Sequence, residues 1–227
     1  MAYFQRSFSF GGDIRVDPPA TAGLFRTVPP AASRPVAFEL RITLLEVEPE
    51  IWRLLRVPHD IRMDRMHGML QAAFGWTNSH LHQFHLFDDE GVVQAYVGRP
   101  ATDGLGDILS ENTPKQDETK RALNNFLAKP ADRIGYEYDF GDGWLHEIEL
   151  VAVHPQTTRL SRVLCLDGAH AGPPEDCGGP PGYDQLRKIM SDAKHREHAG
   201  MKDWLGDHDL ETFDLAATNR ALARVKT

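Results

Sequence analysis

The side chains best able to move protons or hold an ion fall in three short stretches. The densest is Tyr136-Glu137-Tyr138-Asp139-Phe140-Gly141-Asp142-Gly143-Trp144-Leu145-His146. If Asp142-Gly143 forms a two-residue hairpin turn, Asp139 falls directly opposite His146, and a carboxylate then orients and charges an imidazole. Such a pair serves as a general base, a metal ligand with its supporting acid, or a plain cross-strand salt bridge. The second stretch is His80-Leu81-His82-Gln83-Phe84-His85. On a strand His80 and His82 share one face and His85 points away, so at most two of these imidazoles converge on one ion. Zinc would then need further ligands from elsewhere, and the structural alternative is a loop-capping histidine beside a core one. The third is Glu175-Asp176-Cys177, flanked by Pro173-Pro174 and by Gly178-Gly179-Pro180-Pro181-Gly182. Stiff prolines and permissive glycines can hold two carboxylates at a defined place, or simply build a loop that covers one end of a sheet.

The candidate acid-base groups are therefore Asp139, His146, Glu175 and Asp176, and the candidate metal ligands are His80, His82, Asp139 and His146. A divalent ion, Zn²⁺, Mn²⁺ or Mg²⁺, is the cofactor such a set would take. Trp52, Arg53, His80, His82, Asp142 and Trp144 complete a candidate ligand cleft, with Trp52 facing the core and Arg53 placed to pair with a carboxylate or reach an anionic ligand. Cys165 and Cys177 lack a close CxxC pairing and read as buried thiols. There is no Gly-rich phosphate loop and no Ser or Cys nucleophile elbow.

These groups need a scaffold, and hydropathy periodicity supplies one. Phe38, Leu40, Ile42 and Leu44 alternate with Glu39, Arg41 and Thr43, which predicts a strand with one wet face; a second strand follows the Glu48-Pro49-Glu50 turn. Residues 64–74 switch to helical spacing through Met66, Met69, Leu70, Ala73 and Phe74 and stop at Gly75. Strands are expected at 80–87 and 92–97, a loop around Gly104, Gly106 and Pro114, and a helix from Asp117 toward Leu127. A hairpin spans 134–153, a strand 160–166, and the Pro- and Gly-rich stretch 173–182 is expected to be neither helix nor central strand. Three helical segments, 183–191, 195–205 and 212–225, close the chain. Hairpins alternating with helices predict an α+β fold: an antiparallel sheet built from hairpins with packed helices. Residues 1–35, rich in Pro and carrying four Arg against two Asp, read as an arm or linker that could mediate a homo-oligomer, leaving 36–227 as a single α+β domain.

The 227 residues carry 25 Lys plus Arg against 33 Asp plus Glu, a net charge of −8, so bulk charge does not favour a nucleic-acid partner. No apolar run is long enough to span a bilayer, and the amino terminus lacks the apolar core of a secretory signal, so a cytoplasmic protein without a membrane partner is expected.

The stretches PEIWRLLRVP, MHGMLQAAFGWTNSHLHQFHLF, YEYDFGDGWLHEIEL, CLDGAHAGPPEDCGGPPGYDQL and WLGDHDLETFDLAATNRAL, in that order, resemble the plasmid Ri ORF-three-like family, often called TnpR-like transposon-passenger proteins. The likeness spans about residues 36 to 224 and implies a compact α+β fold, an association with mobile elements and no established activity. Its motif positions map to Trp52, Arg53, His67, Trp76, His80, His82, Asp139, Gly141, Asp142, Trp144, His146, Glu175, Asp176, Gly178 and Gly179. Gly172 stands where the family pattern often has a cysteine, which argues against thiolate metal binding here. A recombinase would need a nucleophile among arginines and a basic DNA-binding element, whereas the closing helices carry mixed charge. The functional expectation is a binding or accessory module whose polar His/Asp/Glu cleft holds a small ligand or protein partner. A metal-dependent hydrolase, with phosphoesters as its candidate substrates, is the alternative, and nucleic-acid binding through the arm is a weaker one.

Overall fold

A computed structural model describes residues 36–88, 90–99, 115–155, 160 and 162–226. The expected arm at 1–35 and the expected loop through Gly104 and Gly106 lie outside the described residues.

The predicted first strand is β1 (Val36–Leu44), and its alternation is real: Leu40 and Ile42 are fully buried while Glu39, Arg41 and Thr43 face outward. It pairs antiparallel with β2 (Ile51–Pro58). Helix α1 (Met63–Phe74) buries Met66, Met69, Leu70 and Phe74, as its spacing requires. It ends where Gly75 turns left-handed at φ 84° and its N–H, with that of Trp76, bonds to the Gln71 carbonyl.

β3 (His82–Phe87) and β4 (Val93–Gly98) form the next hairpin, followed by β5 (Lys115–Asp117). The predicted helix over 117–127 is replaced by two 3-10 turns, Glu118–Lys120 and Leu123–Asn125. Between them Arg121 and Ala122 are extended, and Ala122 bridges to Arg62. Local capping decides this: the Asp117 carboxylate accepts from the Thr119 N–H, and the Asn125 side chain accepts from the Ala122 N–H.

β6 (Arg133–Tyr138), β7 (Trp144–Pro155) and β8 (Leu164–Ala169) complete the sheet. Helices α2 (Gly179–Ser191), α3 (His198–Leu205) and α4 (Leu215–Leu222) follow. The helical reading of 183–191 is correct but late. Pro180 and Pro181 lie inside the first turn of α2, where the missing N–H groups would have had no helical partner, so part of the stretch expected to exclude helix opens one.

Among the described residues eight strands order as β5-β4-β3-β6-β7-β1-β2-β8. All pairs are antiparallel except β4 with β5, so the sheet is mixed rather than purely antiparallel. The apolar sheet face packs with Met66, Met69, Leu70, Phe74, Tyr183 and Leu222 of the helices into one core. The other face carries ion pairs such as Arg56 with Glu39 at 2.9 Å and Arg133 with Glu147 at 3.3 Å. Partly exposed pairs of this kind contribute little individually, so the core carries the stability.

Candidate functional site

Because β3 and β6 run antiparallel with His82 opposite Tyr138, the residues just before β3 meet those just after β6 at one end of the sheet. His80 lies before β3, in a turn that begins at Trp76. Asp139 follows β6 with φ 56°, and Asp176 sits in the acidic loop with the same φ of 56°. Left-handed backbone is tolerated by Asp but still strained, and two such residues in one cluster suggest a constellation held in place by its surroundings.

The cluster is compact. His80 Nε2 is 3.1 Å from an Asp176 oxygen, 3.6 Å from an Asp139 oxygen and 3.9 Å from a Glu175 oxygen. Nε2 is buried yet makes no aligned hydrogen bond to any of them. One donor atom from each of His80, Asp139 and Asp176 lies within 4.8 Å of the others. Ligands bound at about 2.0–2.1 Å with tetrahedral or octahedral angles stand about 3–3.5 Å apart; the His80–Asp176 separation of 3.1 Å falls in that range and the His80–Asp139 separation of 3.6 Å lies just above it. A mixed set of one imidazole and two carboxylates suits Zn²⁺ or Mn²⁺ better than Mg²⁺, which prefers oxygen ligands alone. The residues present therefore fit a divalent ion.

Glu175 supports the cluster from one side. It accepts hydrogen bonds from the Thr77 N–H at 2.8 Å, the Thr77 hydroxyl at 3.1 Å and the Tyr138 hydroxyl at 3.0 Å. Burial, with the neighbouring carboxylate, pushes the Tyr138 phenol up to about 12, so it remains a donor. Asp142 closes the other side, accepting from the Gly178 N–H at 3.1 Å. A cleft of about 370 Å³ opens beside the cluster, lined among others by Asn78, Ser79, His80, Arg99, Asp139 and Phe140.

Several sequence-based candidates lie elsewhere. The turn between β6 and β7 spans residues 139–143 rather than two residues, so His146 pairs with Tyr136 and not with Asp139. His146 is fully buried against Phe74 and Trp76, and desolvation depresses its imidazole to about 3; it is a neutral core residue. Trp144 is likewise in the core. His82 does not join His80: it bonds to Glu118 at 2.7 Å and stacks face to face on His67 at 3.5 Å. Trp52 is not a core residue but lies under the Arg41 guanidinium at 4.2 Å.

Arg53 is 2 % exposed, yet among the described residues no carboxylate forms an ion pair with it. It donates to the carbonyls of Ala73, Trp52 and Ala169, tying the end of α1 to β2 and β8. Desolvation lowers its guanidinium to about 10. Arg53→Met should therefore strip donors from three carbonyls and lower stability by about 3 kcal/mol in urea unfolding. Equal stability would contradict this role.

The thiols are poor ligands: burial raises Cys165 to about 11 and Cys177 to about 12. At Gly172 a Cβ would stand 2.0 Å from the Phe74 carbonyl oxygen, so this backbone admits no side chain, cysteine included. The sequence reading did not single out Tyr138, Asn78 or Arg99 as site residues. The available signal was the Thr77-Asn78-Ser79 run of turn formers directly before the histidines, with Asn78 at φ 59°.

An eight-stranded mixed sheet with helices against its apolar face and a His-carboxylate cleft at the β3–β6 end defines an α+β protein of a known architecture. It is shared with the crystal structure of a protein of unknown function, MM3350, from Methanosarcina mazei Go1: the TM-score is 0.69 and the identity 27%, covering 81% of this chain and 98% of that one. The chain belongs to the plasmid pRiA4b ORF-3-like protein family, which it matches over residues 36–220. The uncharacterised protein y4hQ of Sinorhizobium fredii is 37% identical over 180 residues, 79% of this chain and 84% of that protein. Among the described residues no helix is long and apolar enough to cross a membrane.

Proposed function

We propose that this protein is a divalent-cation-dependent binding module, in which His80, Asp139 and Asp176 hold Zn²⁺ or Mn²⁺ and the remaining coordination positions face the cleft. The observation that carries this reading is the convergence of one imidazole and two carboxylate atoms within 4.8 Å of one another. Asp139 and Asp176 with Glu175 at 3.9 Å bring negative charge around a single imidazole, and an ion would relieve that repulsion. A small polar ligand or a side chain of a protein partner would complete the coordination. Two free thiols are consistent with a reducing cytoplasm, and the net charge of −8 favours neither DNA nor RNA as the partner.

Calorimetric titration of tag-free protein with Zn²⁺ and Mn²⁺ tests this. One ion per chain is expected, with affinity reduced more than about 100-fold in His80→Ala and Asp139→Asn, because losing a ligand exceeds the 10–100-fold effect typical of an outer-shell change. No binding to wild type, or equal binding to the variants, would refute it.

A metal-dependent hydrolase is the second reading. It is favoured by a three-ligand set that leaves positions open, with the Tyr138–Glu175 pair alongside as a proton donor and acceptor. Steady turnover of phosphoesters by the Mn²⁺-loaded protein, abolished in Asp139→Asn, would establish it; no turnover despite tight ion binding would leave the binding module.

A further inference from the structure

Beneath the His80 turn lies a polar circuit whose inner members, His67, Gln71 and Tyr136, are buried, and whose outer member, Asn78, is exposed. Its four members are His67 and Gln71 on α1, Tyr136 on β6 and Asn78 in the turn. The Asn78 backbone N–H donates to Gln71 Oε1 at 2.7 Å. A backbone N–H can only donate, so this bond fixes which way the Gln71 amide points. The Gln71 amino group then donates to the Tyr136 hydroxyl at 3.1 Å. Tyr136 OH is 2.8 Å from His67 Nδ1, and His67 Nε2 is 2.6 Å from Asn78 Oδ1. Since Asn78 Oδ1 only accepts, Nε2 carries the imidazole proton, Nδ1 accepts from Tyr136, and the circuit closes on the residue where it began.

His67, Gln71 and Tyr136 are buried, so breaking a bond among these three leaves a buried polar atom unpaired. Burial, with the neighbouring His82, depresses the His67 imidazole to about 3, so the ring keeps a single proton arrangement through neutral pH. Its mechanical consequence falls on Asn78, held left-handed at φ 59° two residues before His80. The same turn is held from above, where the Thr77 N–H reaches Glu175 and the Ser79 N–H reaches the Tyr138 hydroxyl.

We infer that His67 is a positioning residue for the cation site: through its Nε2–H bond to Asn78 it sets the turn that aims His80 at Asp139 and Asp176. This rests on the cation reading above. Two amide replacements separate the parts of the imidazole. In His67→Gln the amide nitrogen reaches the place of Nε2 and keeps the bond to Asn78. In His67→Asn the shorter side chain can meet Tyr136 but not Asn78.

The test is Mn²⁺ titration of wild type, His67→Gln and His67→Asn, with NMR contacts between the His80 and Tyr138 rings, whose centroids lie 5.8 Å apart, recorded without metal. Expected are a dissociation constant within about 3-fold of wild type for Gln and 10–100-fold weaker for Asn, at similar thermal stabilities. The His80–Tyr138 contacts persist in Gln and vanish in Asn. Equal behaviour of the two variants in those contacts overturns the positioning role whether or not an ion binds. Absence of Mn²⁺ binding to wild type with the contact pattern intact overturns the cation reading while the turn remains set by His67. A His67 ring protonated at Nδ1 rather than Nε2, seen by nitrogen shifts, also refutes the proposal.

Discussion

Lowering the pH from 7 to 5 is expected to reduce the stability of this protein by about 4 kcal/mol, through two histidines alone. His67 and His146 are each depressed to about 3 in the fold, chiefly by desolvation, whereas an exposed imidazole titrates near 6.5. A depressed folded value means that the neutral form is the one the fold accepts. The stability it confers is fully present above about 6.5 and is lost as the pH falls toward 3, because the unfolded chain takes up protons that the folded chain refuses. Each histidine adds a slope of about 1.4 kcal/mol per pH unit across that window, close to 2.7 for the pair. Against a typical domain stability of about 5–15 kcal/mol, that brings unfolding within reach near pH 4. Urea unfolding at pH 7, 6 and 5 measures the slope, and His146→Leu should halve it. A flat profile, or an unchanged slope in the variant, would show that these rings are solvated or charged in the fold.

Gly179→Ala is expected to lower stability by about 3–5 kcal/mol and to weaken the proposed cation binding at the same time. A Cβ at this position would stand 2.2 Å from the Asp142 carbonyl oxygen, and the residue holds φ 66°. The clash is with backbone on both sides, so no side-chain rotation relieves it, and the left-handed conformation adds about 1–2 kcal/mol for any residue with a Cβ. Gly179 opens α2 directly against the β6–β7 turn, and Asp142 in that turn also accepts from the Gly178 N–H. Separating the two segments moves Asp176 away from Asp139, so affinity falls with stability. Thermal unfolding and cation titration of the variant check both effects. Normal stability would mean that α2 shifts without strain, and normal affinity in a destabilised variant would mean that the acidic loop is positioned by other contacts.

Local patterns in the chain were enough for the elements whose residues choose a face by themselves. β1 reads out because a period of two puts every apolar side chain on one side, and α1 because its spacing and Gly75 define both stripe and stop. An α+β fold with packed helices follows from such segments, though not the parallel β4–β5 pair that makes the sheet mixed, and the family follows too, since its motifs are contiguous words of sequence. Where competing local bonds decide, reading fails: the segment expected as a helix at 117–127 became two 3-10 turns because Asp117 and Asn125 cap them early. The Asp139–His146 pairing failed on loop length. Five residues connect the strands rather than two, and that shift in register sent His146 into the core against Phe74 and Trp76.

Only the tertiary structure gathered His80, Asp139 and Asp176 into one cluster and sent His82 to Glu118 instead. That gathering depends on β3 pairing with β6 and on α2 docking its glycines against the Asp142 turn, contacts such as Thr77 with Glu175 that lie 98 residues apart. Residue types and local spacing disclose which groups can bind or titrate. Which of them meet is decided by strand register and backbone close approach, and these are set by the packing of the whole sheet.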